Sequence, residues 1–390
     1  MIDPKPSARP SPARLLLAAS VLAVGLAPLP AGWARTARES SRSRELNRTD
    51  RAATAGGYYE GLIGGEGKDR RGAPGALELA IIGDPIGRNR DLVKRITRDL
   101  DRDFLQFELK PDHDEVFFGQ RFTTNSRGMR DREYPAEKPE GVYRIALLGS
   151  SIDMGWGVAT PDTYENRLEN WLNAEAARRH LTRRFEVLNF AMAAYGPAQR
   201  YEAFRRKALA FEPDLVLHAS TLIDSRLLEI HLGGLIKNRV DWKYDFLHEA
   251  AIEAGIDPAR ERAAASSRGF KERVKAGYWI FADAVLGALA ADCRSRDIPV
   301  ADLLIPRACR DDDADLRALT VARKAGIAAR HAVPLIDLSA TFDGRDAATI
   351  EIAPGDDHPN ALGHQLLFEA LSKALLAEPG LSRALFGPGK

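Results

Sequence analysis

The chain has 390 residues, 45% of them hydrophobic, and its 56 basic and 55 acidic side chains leave a formal net charge of +1. That length allows one large domain with an appendage, or two domains, and a sizeable core. The charge balance gives no footing for nucleic acid as a general partner, and the sequence shows no metal-ligand spacing, so neither metal nor cofactor is expected.

Residues 1–34 carry the marks of a secretory signal. Lys5, Arg9 and Arg14 precede the apolar stretch Leu15 to Ala27, and small residues around Ala31 to Ala34 offer a cleavage point. The stretch is short of the roughly 20 apolar residues that a membrane span needs, although an uncleaved anchor remains an alternative. Either way the rest of the chain is expected in an extracytoplasmic space. Residues 35–75 read as a polar linker, with Arg35, Arg38, Arg42, Arg44, Arg48 and Arg51 as a solvated tether or a contact with anionic lipid. Residues 76–140 form an accessory segment of short apolar runs, a charged helix-like piece over Asp91 to Asp103 and turn-rich strands, with a hairpin or loop over 122–131. In an oxidising compartment Cys293 and Cys309 would pair; they are equally explained as one helix-packing and one loop thiol.

From residue 141 the pattern alternates strand and helix. Strands are expected over 143–148, 185–190, 214–218, 300–305 and 334–338. Helices are expected over 161–180 (with Thr160 as N-cap before Pro161), 198–211, 270–296, 314–324 and 360–377. Residues 225–268 break the rhythm as a helical insertion, and 377–390 form a tail. Continuous apolar strands between helices imply a parallel sheet covered on both faces.

Two segments carry chemistry. Gly149-Ser150-Ser151-Ile152-Asp153 follows the first strand, with Gly155 and Gly157 beyond it. An open parallel sheet binds ligands at the carboxyl ends of its strands, which is where Ser151 falls. The second segment is Asp356-Asp357-His358-Pro359-Asn360, just before the last helix. A histidine titrates near neutrality and serves a serine as base and then as acid. An acid two residues earlier, Asp356, would orient the ring, with Asp357 as the alternative. His364 is expected to pack or solvate the helix. Neighbouring residues Asp153, Trp156, Thr221 and Asp224 are candidate substrate contacts; Asp153 also reads as solvating the turn, and Trp156 as either a platform for a sugar ring or a packing residue. Asp224 also reads as a helix cap or a partner of Arg226.

Together these segments resemble the SGNH (GDSL-type) hydrolase family over roughly residues 141–376, and Asn125 to Asp131 resembles the lead-in of secreted bacterial members. The resemblance implies a flavodoxin-like three-layer α/β/α sandwich with a five-stranded parallel sheet. It also implies Ser151 as nucleophile, His358 as base and Asp356 as its partner, with no cofactor. Three positions depart from the family pattern. Ser150 stands where the first block has Asp. Ala194 stands where the second block supplies a glycine amide, so that the oxyanion hole would be the amides of Ser151 and Ala194. Ile223 stands where the third block supplies an asparagine donor, leaving Ser220, Thr221 or a backbone amide to replace it. Loss of one oxyanion donor costs on the order of 10²- to 10³-fold in rate.

The expected activity is serine ester hydrolysis, removing O-acyl (O-acetyl) groups from a carbohydrate or another small ester. A polysaccharide O-acetyltransferase would use the same triad. A non-catalytic carbohydrate-binding or assembly protein that keeps the fold is the alternative from another class.

Overall fold

The computed structural model describes residues 95–261, 267–308, 314–354 and 356–387. The expected leader, the linker and Cys309 lie outside these residues.

Two antiparallel hairpins come first: β1 (Thr97–Asp99) pairs with β2 (Phe107–Leu109), and β3 (Asp114–Phe117) pairs with β4 (Gln120–Thr123). The sheet begins with β5 (Val142–Leu148), followed by the single turn α1 (Ser151–Met154) and α2 (Tyr164–Arg178). Thr163 caps α2 through Asn166 N–H, because Thr160 and Pro161 form a separate 3-10 turn ahead of it. Next come β6 (Arg184–Asn189), α3 (Pro197–Arg206) and β7 (Leu215–Thr221). The expected insertion consists of α4 (Asp224–Asn238) and α5 (Asp245–Glu253), packed on the long helix α6 (Arg268–Arg294). The chain continues with β8 (Val300–Ile305), α7 (Ala314–Arg330), β9 (Leu335–Asp337) and the short α8 (Ala347–Ile350). It ends with a hairpin of β10 (Glu351–Ala353) and β11 (Asp356–Pro359), then α9 (Ala361–Ala377) and α10 (Pro379–Phe386).

The five-stranded sheet is wholly parallel in the order β6-β5-β7-β8-β9. That is the 2-1-3-4-5 order of flavodoxin-like sheets, with the direction of winding reversing beside β5. Alternation along the strands divides the core. Ala146, Leu148, Leu188 and Val216 pack with α3, α4 and α6, while Ile145, Leu147, Leu217 and Leu303 pack with α2, α9 and α10. α6 is long and apolar enough to cross a membrane, but half of its apolar window is buried against this core.

Three segments differ from expectation. The described part of the charged piece expected to be helix-like over 91–103 contains β1, because Thr97 to Asp99 pair in register with Phe107 to Leu109. Residues 379–386 are no tail, since Leu381, Leu385 and Phe386 of α10 are buried in the sheet core. The described part of the accessory segment is no separate appendage either. Ile96, Leu105, Phe107, Phe117 and Phe122 share an apolar cluster with Met154, Trp156 and Ala191 to Tyr195, at the carboxyl rim of the sheet.

Candidate active site

Ser151 sits on the first residue of α1, directly past the end of β5. α1 is only four residues long, so it offers individual amides rather than a helix dipole. The turn is shaped by Asp153, whose carboxylate accepts Ser150 N–H (2.7 Å) and the Tyr164 hydroxyl (2.6 Å). A Cβ at Gly149 would lie 2.2 Å from that carboxylate, so glycine is required there by close approach. Asn189, at the end of β6, donates to Asp153 O (2.9 Å) and accepts Ala191 N–H (3.0 Å).

Arg130 was not identified from sequence. The residue is 3% exposed, and its guanidinium donates to the carbonyls of Met154 (3.0 Å), Gly155 and Val158. It thus holds the whole stretch that follows the serine. Burial lowers its pKa to about 10, opposed by Glu165, and it stays charged at neutral pH. Beneath it, Asp131 accepts Asn189 N–H and the Tyr134 hydroxyl; burial pushes this carboxyl up to about 7. The only sequence signal for Arg130 was its place in the Asn125 to Asp131 segment.

The β10–β11 hairpin, absent from the sequence reading, brings His358 to the serine. His358 Nε2 lies 2.7 Å from Ser151 Oγ, and its Nδ1 lies 2.5 Å from Asp356 Oδ1. Asp356 Oδ1 also accepts His358 N–H at 3.2 Å. Burial pulls the Asp356 carboxyl upward, but the His358 ring and its hydrogen bonds outweigh it and hold the pKa below the usual value. Asp357, the alternative orienter, is instead ion-paired with Arg307. Asn360 caps α9 by accepting Leu362 and Gly363 N–H, and it donates to Thr349 O and Glu351 O. Asp356, Asp357 and His358 lie close enough together to face one metal ion. Both ring nitrogens and the Asp357 carboxylate, however, are engaged as described. His364 packs as expected: it is fully buried, accepts Tyr164 N–H at Nδ1 (3.1 Å) and is pushed down to about 3, mainly by burial and then by Arg130.

Trp156 serves the histidine rather than a sugar. It is 5% exposed and stacks on the His358 ring, with centroids 5.0 Å apart at 24°, while Phe117 meets its edge at 4.6 Å. The other three candidate substrate contacts are likewise turned inward. Asp153 holds the serine turn, as above. Thr221 Oγ1 accepts Ile223 N–H at 3.3 Å. Asp224 is 1% exposed and pairs with Arg200, not with Arg226, whose guanidinium goes to Glu229.

The two expected oxyanion donors, Ser151 N–H and Ala194 N–H, lie on turns that a hydrogen bond joins. Met192 N–H donates to Gly149 O (3.3 Å) and Tyr195 N–H to Met192 O (3.0 Å), so the turn that carries Ala194 is tied to the end of β5. Among the described residues neither Ser151 N–H nor Ala194 N–H has an acceptor within the chain. Ala194 takes φ +64°, the left-handed region that glycine enters freely and alanine enters at a cost of roughly 1–2 kcal/mol. Ile223 is half-buried against the apolar cluster, and Ser220 Oγ is spent on Leu303 O (2.7 Å). Neither side chain replaces an asparagine donor.

No family model matches the chain, and no curated relative matches it. Solved structures that resemble it include a two-domain esterase active on acetylated mannans, co-crystallized with mannopentaose (16% identity, 62% of this chain and 49% of that one, TM-score 0.36). TesA matches at 15% identity over 61% of this chain and 99% of its own, with a TM-score of 0.40. Axe2, an acetylxylan esterase from Geobacillus stearothermophilus, matches at 15% identity over 60% and 93%, with a TM-score of 0.39. Likeness of this degree assigns no activity; the side-chain geometry has to do so.

Proposed function

We propose that the protein is a serine ester hydrolase of the SGNH type. The observation that carries this reading is the continuous chain from Ser151 Oγ through His358 to Asp356, at 2.7 and 2.5 Å. Serine attacks the acyl carbonyl carbon while His358 Nε2 takes its proton. Asp356, held ionised, stabilises the imidazolium and fixes the ring through Nδ1. The amides of Ser151 and Ala194 would receive the oxyanion. His358 then returns the proton to the leaving alcohol. Water, deprotonated by the same ring, attacks the acyl-enzyme and regenerates Ser151 as the acid departs.

The proposed substrate is an O-acyl ester, in the first instance an O-acetyl group on a carbohydrate, as the motif resemblance implies. Transfer to a sugar hydroxyl would follow the same steps with that hydroxyl in place of water. The half-buried Ile223 favours the non-catalytic alternative, because it removes a donor that the family pattern supplies. The proposed location is extracytoplasmic, on the strength of the leader pattern in residues 1–34.

The test is burst release from a chromogenic acetyl ester, together with covalent labelling by a fluorophosphonate. Both are expected from the wild type and both are expected to vanish in Ser151→Ala. A folded wild type that gives neither signal while binding glycans would establish the non-catalytic reading. Adding an acceptor sugar to the same assay separates transfer from hydrolysis.

A further inference from the structure

Arg200 and Asp224 form a bidentate ion pair, with Nη1–Oδ2 at 2.8 Å and Nη2–Oδ1 at 2.7 Å. Their side chains are 0% and 1% exposed. Such a pair is a poor way to gain stability, since the desolvation of two ions offsets most of their attraction. Its position is informative. Arg200 lies in the first turn of α3, immediately after the Ala191 to Gly196 turn, and its N–H donates to Gly196 O (3.1 Å). Asp224 is the first residue of α4, immediately after Ile223.

A second observation places the same two elements in contact. A Cβ on Gly196 would come within 3.0 Å of the Leu227 carbonyl and 3.1 Å of Leu228 N. The start of α3 therefore rests on the backbone of α4, so closely that an added Cβ would require that backbone to give by a few tenths of an ångström. Gly196 N–H is also held by Gln199 Oε1 at 3.0 Å.

We propose that Arg200 and Asp224 are positioning residues that clamp the Ala194 turn against the Ser220 to Ile223 segment. With the Ile223 side chain unable to donate and Ser220 spent on Leu303 O, the burden of stabilising the oxyanion falls on backbone amides and the Thr221 hydroxyl. A backbone donor is only as good as the placement of its turn, and a misplacement of about 1 Å costs on the order of 10²-fold. The planar fork of arginine on a carboxylate fixes both distance and angle, which a lysine does not. This inference rests on the proposed esterase activity for its kinetic readout, but not for its structural one.

The experiment compares wild type with Arg200→Met/Asp224→Leu, an apolar pair of similar volume. The thermal midpoint is expected to hold or rise, while kcat on the acetyl ester falls on the order of 10²-fold. KM should be little changed, and fluorophosphonate labelling should slow in parallel. Amide hydrogen exchange over 191–196 is expected to accelerate, and it reads the clamp without reference to turnover. Faster exchange in a protein whose wild type is inactive would keep the clamp and sink the esterase reading. Unchanged exchange, or wild-type kcat in the folded double variant, overturns the clamp. Should the double variant not fold, Arg200→Lys serves in the same assays: a reduced kcat at constant KM supports the clamp, and wild-type kcat with unchanged exchange refutes it.

Discussion

The loop that carries Ser151 is braced by fully buried polar groups, whereas the hairpin that carries His358 is braced by polar groups that keep some contact with solvent. Arg130, Asp153 and Asn189 are all 3% exposed or less. On the hairpin, the side chains of Arg307 and Asp357 are 28% and 23% exposed, and those of His358 and Asp356 are 13% and 23%. Removing one member of a buried charge-assisted set leaves its partners desolvated and unpaired, which is costly. Removing one member of a pair that keeps some contact with solvent lets water reach the group left behind. The two halves of the site should therefore fail differently: the loop through folding and placement, the hairpin through chemistry.

The sharpest break is Asp356→Ala. It should lower kcat on the order of 10⁴-fold, because the ring loses its orienting carboxylate. The thermal midpoint should barely move, and unchanged turnover would remove Asp356 from the triad. Arg130→Met comes next. It strips donors from the Met154, Gly155 and Val158 carbonyls, so kcat should fall on the order of 10²-fold through a displaced serine. Stability should fall by about 3 kcal/mol in chemical denaturation. A stable, fully active variant would show that the loop holds itself. Arg307→Ala frees Asp357 on the hairpin side. It should change stability by less than about 1 kcal/mol and kcat by less than about tenfold.

The mildest test concerns pH. In the unfolded chain His364 takes up a proton near its ordinary value of 6.5, whereas the folded protein resists it down to about 3. The unfolded state binds more protons in that window, so stability falls as pH drops from 6.5 toward 3. His231, pushed down to about 4 by burial, acts in the same direction. His364→Asn keeps an acceptor for Tyr164 N–H but does not titrate. Its denaturation midpoint should therefore fall less steeply with acid than that of the wild type, and an identical slope would place the acid sensitivity elsewhere.

The sheet was legible because each strand is a continuous apolar run between helices, which only burial on both faces explains. Ser151, Asp356 and His358 were legible because their chemistry is written in short local motifs. The β10–β11 hairpin was not, since Glu351 to Pro359 holds few β-branched or aromatic residues and its fold depends on Asn360 bonding back to Thr349 and Glu351. The partner of Asp224 lies 24 residues upstream on another helix, and no spacing rule points to it. The same holds for Arg130, which reaches residues 24 to 28 positions ahead. For Trp156 the sequence left a sugar platform and simple packing both open, because a tryptophan between glycines does not reveal what covers it. Here the N-terminal hairpins, through Phe117 and Phe118, cover it.

Cys293 on α6 is fully buried, and burial, with Asp292 nearby, pushes its thiol up to about 12. At neutral pH it is a protonated, inaccessible sulfur rather than a thiolate. Alkylating and phosphonylating reagents will pass it by, so adducts formed on the intact protein will not arise from this sulfur. Only on denaturation should Cys293 become titratable, so its reactivity, read separately from that of Cys309, reports unfolding beside a serine-directed label.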